Sequence, residues 1–167
     1  MQGPESIFRL GVLSDSHGHL PSLAAALAGF RGVDIIVHAG DFFRDSQYLA
    51  QQTKIPVIGV VGNCDREQSP ADEVVDFCGR RFFITHGHLY GVKLASVGIV
   101  KEGVRRRAQV VIFGHTHVPT KFWQQGILFV NPGSVFAGRR GHGKSMAIIT
   151  LTPESSEVEF FVPNSRH

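Results

Sequence analysis

Cysteine is scarce in this 167-residue chain: Cys64 and Cys78 are the only two. Two thiols do not make a disulfide framework, and low cysteine use fits a reducing cytoplasm. Charge is also sparse. Only 19% of residues are charged and 43% are hydrophobic, which excludes long disordered stretches and predicts one domain over residues 1–167. No apolar run approaches the roughly 20 residues needed to span a bilayer. Met1–Arg9 holds an acidic residue, a proline and no long apolar core, so no signal peptide is expected. These absences predict a cytoplasmic protein with no membrane partner. Positive charge is not concentrated either. The net charge is +3, and the dense basic runs are Arg105-Arg106-Arg107 and Arg139-Arg140. The first reads as a solvated helix end, and no dedicated nucleic-acid partner is expected. Repeats, linkers and low-complexity tracts are missing.

What is present is a regular alternation. Ile7–Leu13 reads as a buried strand, Leu20–Phe30 as a helix with Pro21 in its first turn, and Val33–His38 as a second strand. A helix over Asp45–Gln52, with Asp45 as its N-cap, and a strand over Pro56–Val61 follow. Strand–helix–strand repetition predicts an α/β architecture with parallel pairing. The second half changes rhythm. Asp72–Cys78 and Arg80–Thr85 read as neighbouring strands turned at Gly79, and Val92–Arg107 as a helix weakened by Gly98 and Gly103. Gln109–Phe113, Lys121–Gln124, Ile127–Val130, Lys144–Leu151 and Val158–Val162 read as further strands of a partly antiparallel second sheet. Gly138–Gly143, rich in Gly and Arg, is the expected mobile segment. Unpaired sheet edges leave room for a homodimer.

Polar motifs stand at the strand ends: Asp15-Ser16-His17, Gly40-Asp41, Gly62-Asn63, Thr85-His86-Gly87-His88 and Gly114-His115-Thr116-His117. Open α/β sheets bind ligands at the carboxyl ends of their strands. In extended chain, residues i and i+2 point to one side, so Asp15 and His17 are expected to grip one cation together. Each motif alone is a turn or a core histidine. Jointly they offer carboxylate oxygens, an amide oxygen and imidazole nitrogens, a donor set suited to manganese, iron or zinc. The motifs thus predict a site for two divalent metal ions, the arrangement used against phosphate esters. His38 reads as a core or supporting residue, His19 as a loop residue near the site mouth, and terminal His167 as uninformative. Asn131-Pro132-Gly133-Ser134 reads as a turn that shapes the cleft wall.

This ordered set resembles the calcineurin-like metallophosphoesterase superfamily. Gly62-Asn63-Cys64-Asp65, Thr85-His86-Gly87-His88 and Asn131-Pro132-Gly133-Ser134 resemble its small YfcE-like phosphodiesterase branch. The resemblance implies a four-layer α-β-β-α sandwich of two mixed sheets flanked by helices. It implies Asp15, His17, Asp41 and His117 around one metal, and Asp41, Asn63, His86 and His115 around the second, with Asp41 bridging. It implies a water or hydroxide activated between the two cations, most simply manganese, with iron, zinc, nickel or magnesium as alternatives. The implied activity is hydrolysis of small phosphodiesters, extending to phosphomonoesters. Asp41, Asn63, Asp65 and His88 are the expected catalytic set, and Asn63, Arg139 and Arg140 the expected substrate contacts. Cys64 departs from the wider superfamily, where a histidine after the motif Asn helps to protonate the leaving group. The alternative reading is a non-catalytic protein-binding scaffold of the same fold, as in the retromer subunit.

Overall fold

The computed structural model describes residues 6–163. Residues 1–5, on which the leader expectation partly rests, and His167 lie outside the described residues. The chain runs β1 (Phe8–Leu13), α1 (Leu20–Gly29), β2 (Ile35–His38), α2 (Phe43–Gln52), β3 (Val57–Gly59), β4 (Asp72–Phe77) and β5 (Arg80–Thr85). A single 3-10 turn (His88–Tyr90) and α3 (Val97–Arg105) follow. β6 (Val110–Ile112), β7 (Thr120–Gln124), β8 (Ile127–Asn131), β9 (Met146–Leu151) and β10 (Ser156–Phe161) complete it.

The strands form two five-stranded sheets, ordered β10-β9-β1-β2-β3 and β4-β5-β6-β8-β7. Each is mixed. In the first, β1, β2 and β3 are parallel, β9 runs antiparallel to β1 and β10 antiparallel to β9. β9 and β10, expected in the second sheet, instead extend the first, because β9 pairs with β1. In the second, β5, β6 and β8 are parallel while β4 and β7 run antiparallel at the two edges. The pairing Leu10↔Ile35 and Phe82↔Val110 brings the parallel strands of each sheet to a common carboxyl end. All five polar motifs therefore stand on one rim.

Alternation along the strands decides the layers. Leu10, Val12 and Val37 of one sheet meet Phe82, Ile84, Ile112 and Val130 of the other in a buried inter-sheet core. The opposite faces carry Leu13 and Ile36, which pack against Leu23, Ala26 and Phe30 of the α1 region and Leu49 of α2. On the far side, Phe83, Val111 and Phe129 pack against Ile99 and Val100 of α3. Three apolar interfaces between four layers make the expected α-β-β-α sandwich. Among the described residues, no helix is long and apolar enough to cross a membrane.

Three local expectations are corrected. Asp45 does not cap α2: the helix begins two residues earlier, after Phe42 in a left-handed conformation, and Asp45 lies buried in its first turn. The helix expected over Val92–Arg107 starts only at Val97, because Gly91 takes φ +65° and Leu94 and Ala95 turn back to its carbonyl. The Arg105–Arg107 run is not merely solvated. Arg105 and Arg106 both pair with Glu102, and Arg106 also reaches Asp72 at 3.1 Å and stacks its guanidinium 4.9 Å over Phe83.

Candidate metal centre

The first motif leaves the sheet immediately after β1. Asp15 and His17 have φ of +54° and +50°, so they are not extended, as the spacing argument assumed. Asp41, His115 and His117 share this conformation, at +58°, +70° and +58°. Left-handed backbone at residues other than glycine costs roughly 1–3 kcal/mol each and persists only where the surroundings enforce it. Here the tight turns aim side chains from separate strands at one point. Gly40, at φ +91°, lets the second loop pass beneath His86, where a Cβ would stand 2.8 Å from the imidazole.

The result is two groups. Asp15, His17, Asp41 and His117 each bring one ligand atom within 4.8 Å of the others, and Asp41, His86 and His115 do the same. Asp41 belongs to both and divides its oxygens between them. Its Oδ2 faces His17 Nε2 at 3.9 Å, and its Oδ1 faces His86 Nε2 at 3.3 Å. Asp15 Oδ1 stands 3.1 Å from His117 Nε2 and 3.7 Å from His86 Nε2. His115 Nδ1 lies 3.2 Å from His86 Nε2.

Neighbouring groups orient these atoms. His86 Nδ1 donates to the Ala39 carbonyl at 2.7 Å, and His117 Nδ1 donates to that of Ala137 at 2.9 Å. Each ring thus turns its Nε2 inward, as metal-ligating histidines do. Asp15 Oδ2 accepts from the Ser14 hydroxyl at 2.6 Å and from the His115 amide at 3.1 Å, which leaves Oδ1 for the centre. Asp15 Oδ1 and His17 Nε2 are buried with no hydrogen-bond partner among the described residues. An orphaned carboxylate oxygen beside an orphaned imidazole nitrogen fits a divalent cation between them.

The electrostatics agree. Burial opposes the charge on Asp15, yet the imidazoles of His117 and His86 hold its pKa below the usual carboxylate value. Burial likewise opposes ionisation of Asp41, but its contacts with His86 and the Cys64 amide bring its pKa far down. Burial and the charge of His86 push His115 down to about 4, so its ring is neutral and one ring nitrogen keeps a lone pair for coordination. Burial lowers and the Asp41 and Asp15 carboxylates raise the pKa of His86, with a net rise. A cation bound between these groups would take the place of that proton.

The remaining expected residues stand around this core. His88 lies in the turn after β5, its ring 5.4 Å from His86 and 6.2 Å from His115, with Nδ1 buried and without a hydrogen-bond partner among the described residues. Burial and the neighbouring His86 lower its pKa. Asn63 is exposed, and its one side-chain hydrogen bond among the described residues reaches Cys64 Sγ at 3.6 Å. Both carboxylate oxygens of Asp65 accept backbone N–H groups, from Phe43 and Gly62 at 2.7 Å each, which braces the Asn63 loop. Burial and the Asp41 carboxylate raise the Cys64 pKa, so the thiol stays protonated at neutral pH. Arg139 and Arg140 line a cavity beside Thr116. His19 caps α1 by accepting from the Ser22 amide and packs on Phe136.

Sequence reasoning undervalued the supports. Ser16 Oγ donates to Asp45 Oδ2 at 2.6 Å, and Asp45 also accepts the Gly18 amide at 2.8 Å. His38 is fully buried, with Nε2 2.7 Å from Ser16 Oγ and Nδ1 accepting the Gly40 amide. Asn131 donates to the Gly114 carbonyl at 2.9 Å, and Ser134 donates to that of Asp15 at 2.8 Å. The Asn-Pro-Gly-Ser turn therefore ties two ligand loops together. The signal for Asp45 was its place three residues after the Gly40-Asp41-Phe42 turn; without the fold it resembles any helix-capping carboxylate.

With this geometry in place, comparison with known proteins is decisive. The model of the calcineurin-like phosphoesterase superfamily domain matches residues 8–154. The chain belongs to this superfamily. Among its relatives, the probable metallophosphoesterase YsnB of Bacillus subtilis is 32% identical over 90% of this chain and 88% of its own length. The phosphodiesterase YfcE of Escherichia coli is 27% identical over 86% of this phosphoesterase-superfamily chain and 88% of its own length. The crystal structure of a conserved uncharacterized protein from Streptococcus pneumoniae, described as a predicted phosphoesterase, superposes with a TM-score of 0.82 at 24% identity, covering 95% of this chain and 91% of that one. Vacuolar Protein Sorting 29 from Cryptosporidium parvum superposes with a TM-score of 0.72 at 16% identity, over 93% of this chain and 97% of that one, and shares the fold alone. Family membership and the two ligand groups together support binding of divalent metal.

Proposed function

We propose that this chain is a metal-dependent phosphodiesterase acting on small phosphodiesters, with phosphomonoesters as secondary substrates. The observation that carries the reading is the Asp41 carboxylate, which turns one oxygen to each of two ligand groups. Relatives named as phosphodiesterases support it.

Asp15, His17, Asp41 and His117 would hold one cation; Asp41, His86, His115 and the Asn63 amide oxygen would hold the second. Manganese is the ion taken for this reading; iron, zinc, nickel and magnesium are the alternatives for this oxygen–nitrogen donor set. Such a pair supplies Lewis acidity toward a phosphoryl oxygen and lowers the pKa of water near it. The chain's own groups do the rest. Burial at the strand ends excludes bulk water from Asp15, Asp41 and His86. His88 presents a neutral imidazole at the edge of the centre. Cys64 holds its proton beside Asn63, and a thiol is a weak acid for departing alkoxides. The site is therefore matched to esters with good leaving groups. Asp65 acts through the loop that it braces. Arg139 and Arg140 stand where a substrate anion would approach.

The scaffold reading shares only the fold with Vacuolar Protein Sorting 29. In this chain each ligand position holds a side chain able to coordinate metal, which favours the enzyme. The test is hydrolysis of bis(p-nitrophenyl) phosphate by protein reconstituted with manganese, then with iron, zinc, nickel or magnesium. EDTA should abolish turnover, and Asp41→Ala and His115→Ala should each lower it at least 100-fold with unchanged circular dichroism. Wild-type turnover in either variant would remove the ligand assignments. Inertness with every metal would favour the scaffold.

A further inference from the structure

A cavity of about 360 Å³ opens beside the centre, against Thr116, the residue between His115 and His117. Its walls are Val92, Phe113 and Phe122, with the cations Lys93, Arg139 and Arg140 also lining it. Two chain connections join it to the ligand loops. Val92 and Phe113 lie against Gly87, the residue between His86 and His88. The Arg139 amide donates to the His117 carbonyl at 3.2 Å. The volume falls at the lower end of the range for small-molecule sites, enough for an aromatic ring and substituents. Phe122 stacks on Phe129 at 4.8 Å and 5°, which fixes its ring as a rigid wall. Every charged residue on the lining is a cation. An apolar slot with a wholly positive border selects a flat hydrophobic group that carries a negative charge.

We propose that this cavity seats the retained ester arm of the substrate, and that the arm is an aromatic group bearing a second anion. The assignment rests on the phosphodiesterase reading above. It adds to it the substrate class: an aryl phosphodiester with an additional acidic substituent, rather than a plain alkyl diester. Lys93, Arg139 and Arg140 are exposed, so their preference for the second anion is modest and falls with salt. The aromatic contact contributes the larger share.

The test uses three diesters that share a p-nitrophenolate leaving group and differ in the retained arm: methyl, phenyl and 4-carboxyphenyl. With the manganese-loaded protein, kcat/KM should rise at least tenfold from methyl to phenyl, and about threefold more to 4-carboxyphenyl. Ala95→Trp places a large side chain in the cavity from an exposed position and should reduce the phenyl-to-methyl ratio below threefold. Lys93→Gln should lower only the carboxyphenyl-to-phenyl ratio. A second readout needs no turnover. Saturation-transfer NMR on metal-free protein should mark the ring protons of 4-carboxyphenyl methyl phosphate, and Ala95→Trp should remove the signal. Equal kcat/KM for the three diesters, a preference that survives Ala95→Trp, or an unmarked ring would overturn the cavity assignment and leave the phosphodiesterase standing. Turnover of none of the three would remove both.

Discussion

The Ser16 hydroxyl donates to the Asp45 carboxylate across 2.6 Å, tying the loop that carries Asp15 and His17 to the first turn of α2. Because that hydrogen goes to Asp45, the 2.7 Å contact from His38 Nε2 to Ser16 Oγ is a donation by the imidazole. His38 Nδ1 is then free to accept the Gly40 amide at 3.2 Å. Burial lowers the His38 pKa and keeps the ring neutral, as this pattern requires. Residues from β2 and α2 thus clamp both the Asp15–His17 loop and the loop that leads to Asp41.

Removing the clamp should weaken the metal site without dismantling the sheets. We predict that Asp45→Ala lowers manganese affinity by about 10–100-fold, the usual cost of losing a group that orients ligands. It also leaves the Ser16 hydroxyl and the Gly18 amide without an acceptor, a cost of about 1–3 kcal/mol. Isothermal titration calorimetry of the metal, beside chemical denaturation, separates the two effects. Affinity equal to wild type would show that Asp45 does not position His17.

Close approach makes a second prediction. A Cβ on Gly62 would lie 2.2 Å from Asp41 Oδ1 and 2.6 Å from the Asp41 amide nitrogen. Neither atom can yield without moving the carboxylate shared by both ligand groups. Gly62→Ala should therefore lower turnover at least 100-fold and cost about 1–3 kcal/mol of stability from overpacking. Steady-state kinetics and a thermal melt check it; a variant with wild-type kcat would mean that the Asn63 loop shifts freely.

A third prediction concerns acid. Hydrogen bonds from Arg105, together with those from Arg106, bring the Glu102 carboxyl down to about 2 from its ordinary 4.5. The folded pKa lies below the unfolded one, so the stabilisation is complete above pH 4.5 and is lost as pH falls toward 2. The same network holds Asp72 against Arg106 and the Tyr90 hydroxyl, and so ties α3 to β4 and the turn after His88. Urea denaturation of wild type and Glu102→Gln at pH 6 and pH 3 should show a stability gap that narrows at the lower pH. A gap that widens on acidification would contradict the sign.

Much of this was legible in the chain. The short apolar run Ile7–Leu13, closed by Ser14-Asp15, identified β1 before its partners were known. The candidate ligands were legible because Asp15, Asp41, His86 and His115 each follow an apolar run, and parallel strands collect such residues on one rim. The start of α2 was not legible. Phe42 adopts φ +75° with no propensity for it, because the neighbouring Asp41 must turn inward and the chain recovers in the next residue. Nor was the role of Asn131 and Ser134, whose partners lie 17 and 119 residues away.

The order of residues alone decided which atoms are available for coordination, and that hydrophobic alternation would bring them to one edge. It could not decide that Asp41 turns a separate oxygen to each ligand group, nor that a slot lined by Phe113 and Lys93 opens beside them. Those are properties of approach between remote segments, set by how closely Gly40 and Gly62 let backbones pass and by which hydrogen bonds remain for each ring. Local pattern carries no information about such distances, because they emerge only when two sheets pack face to face.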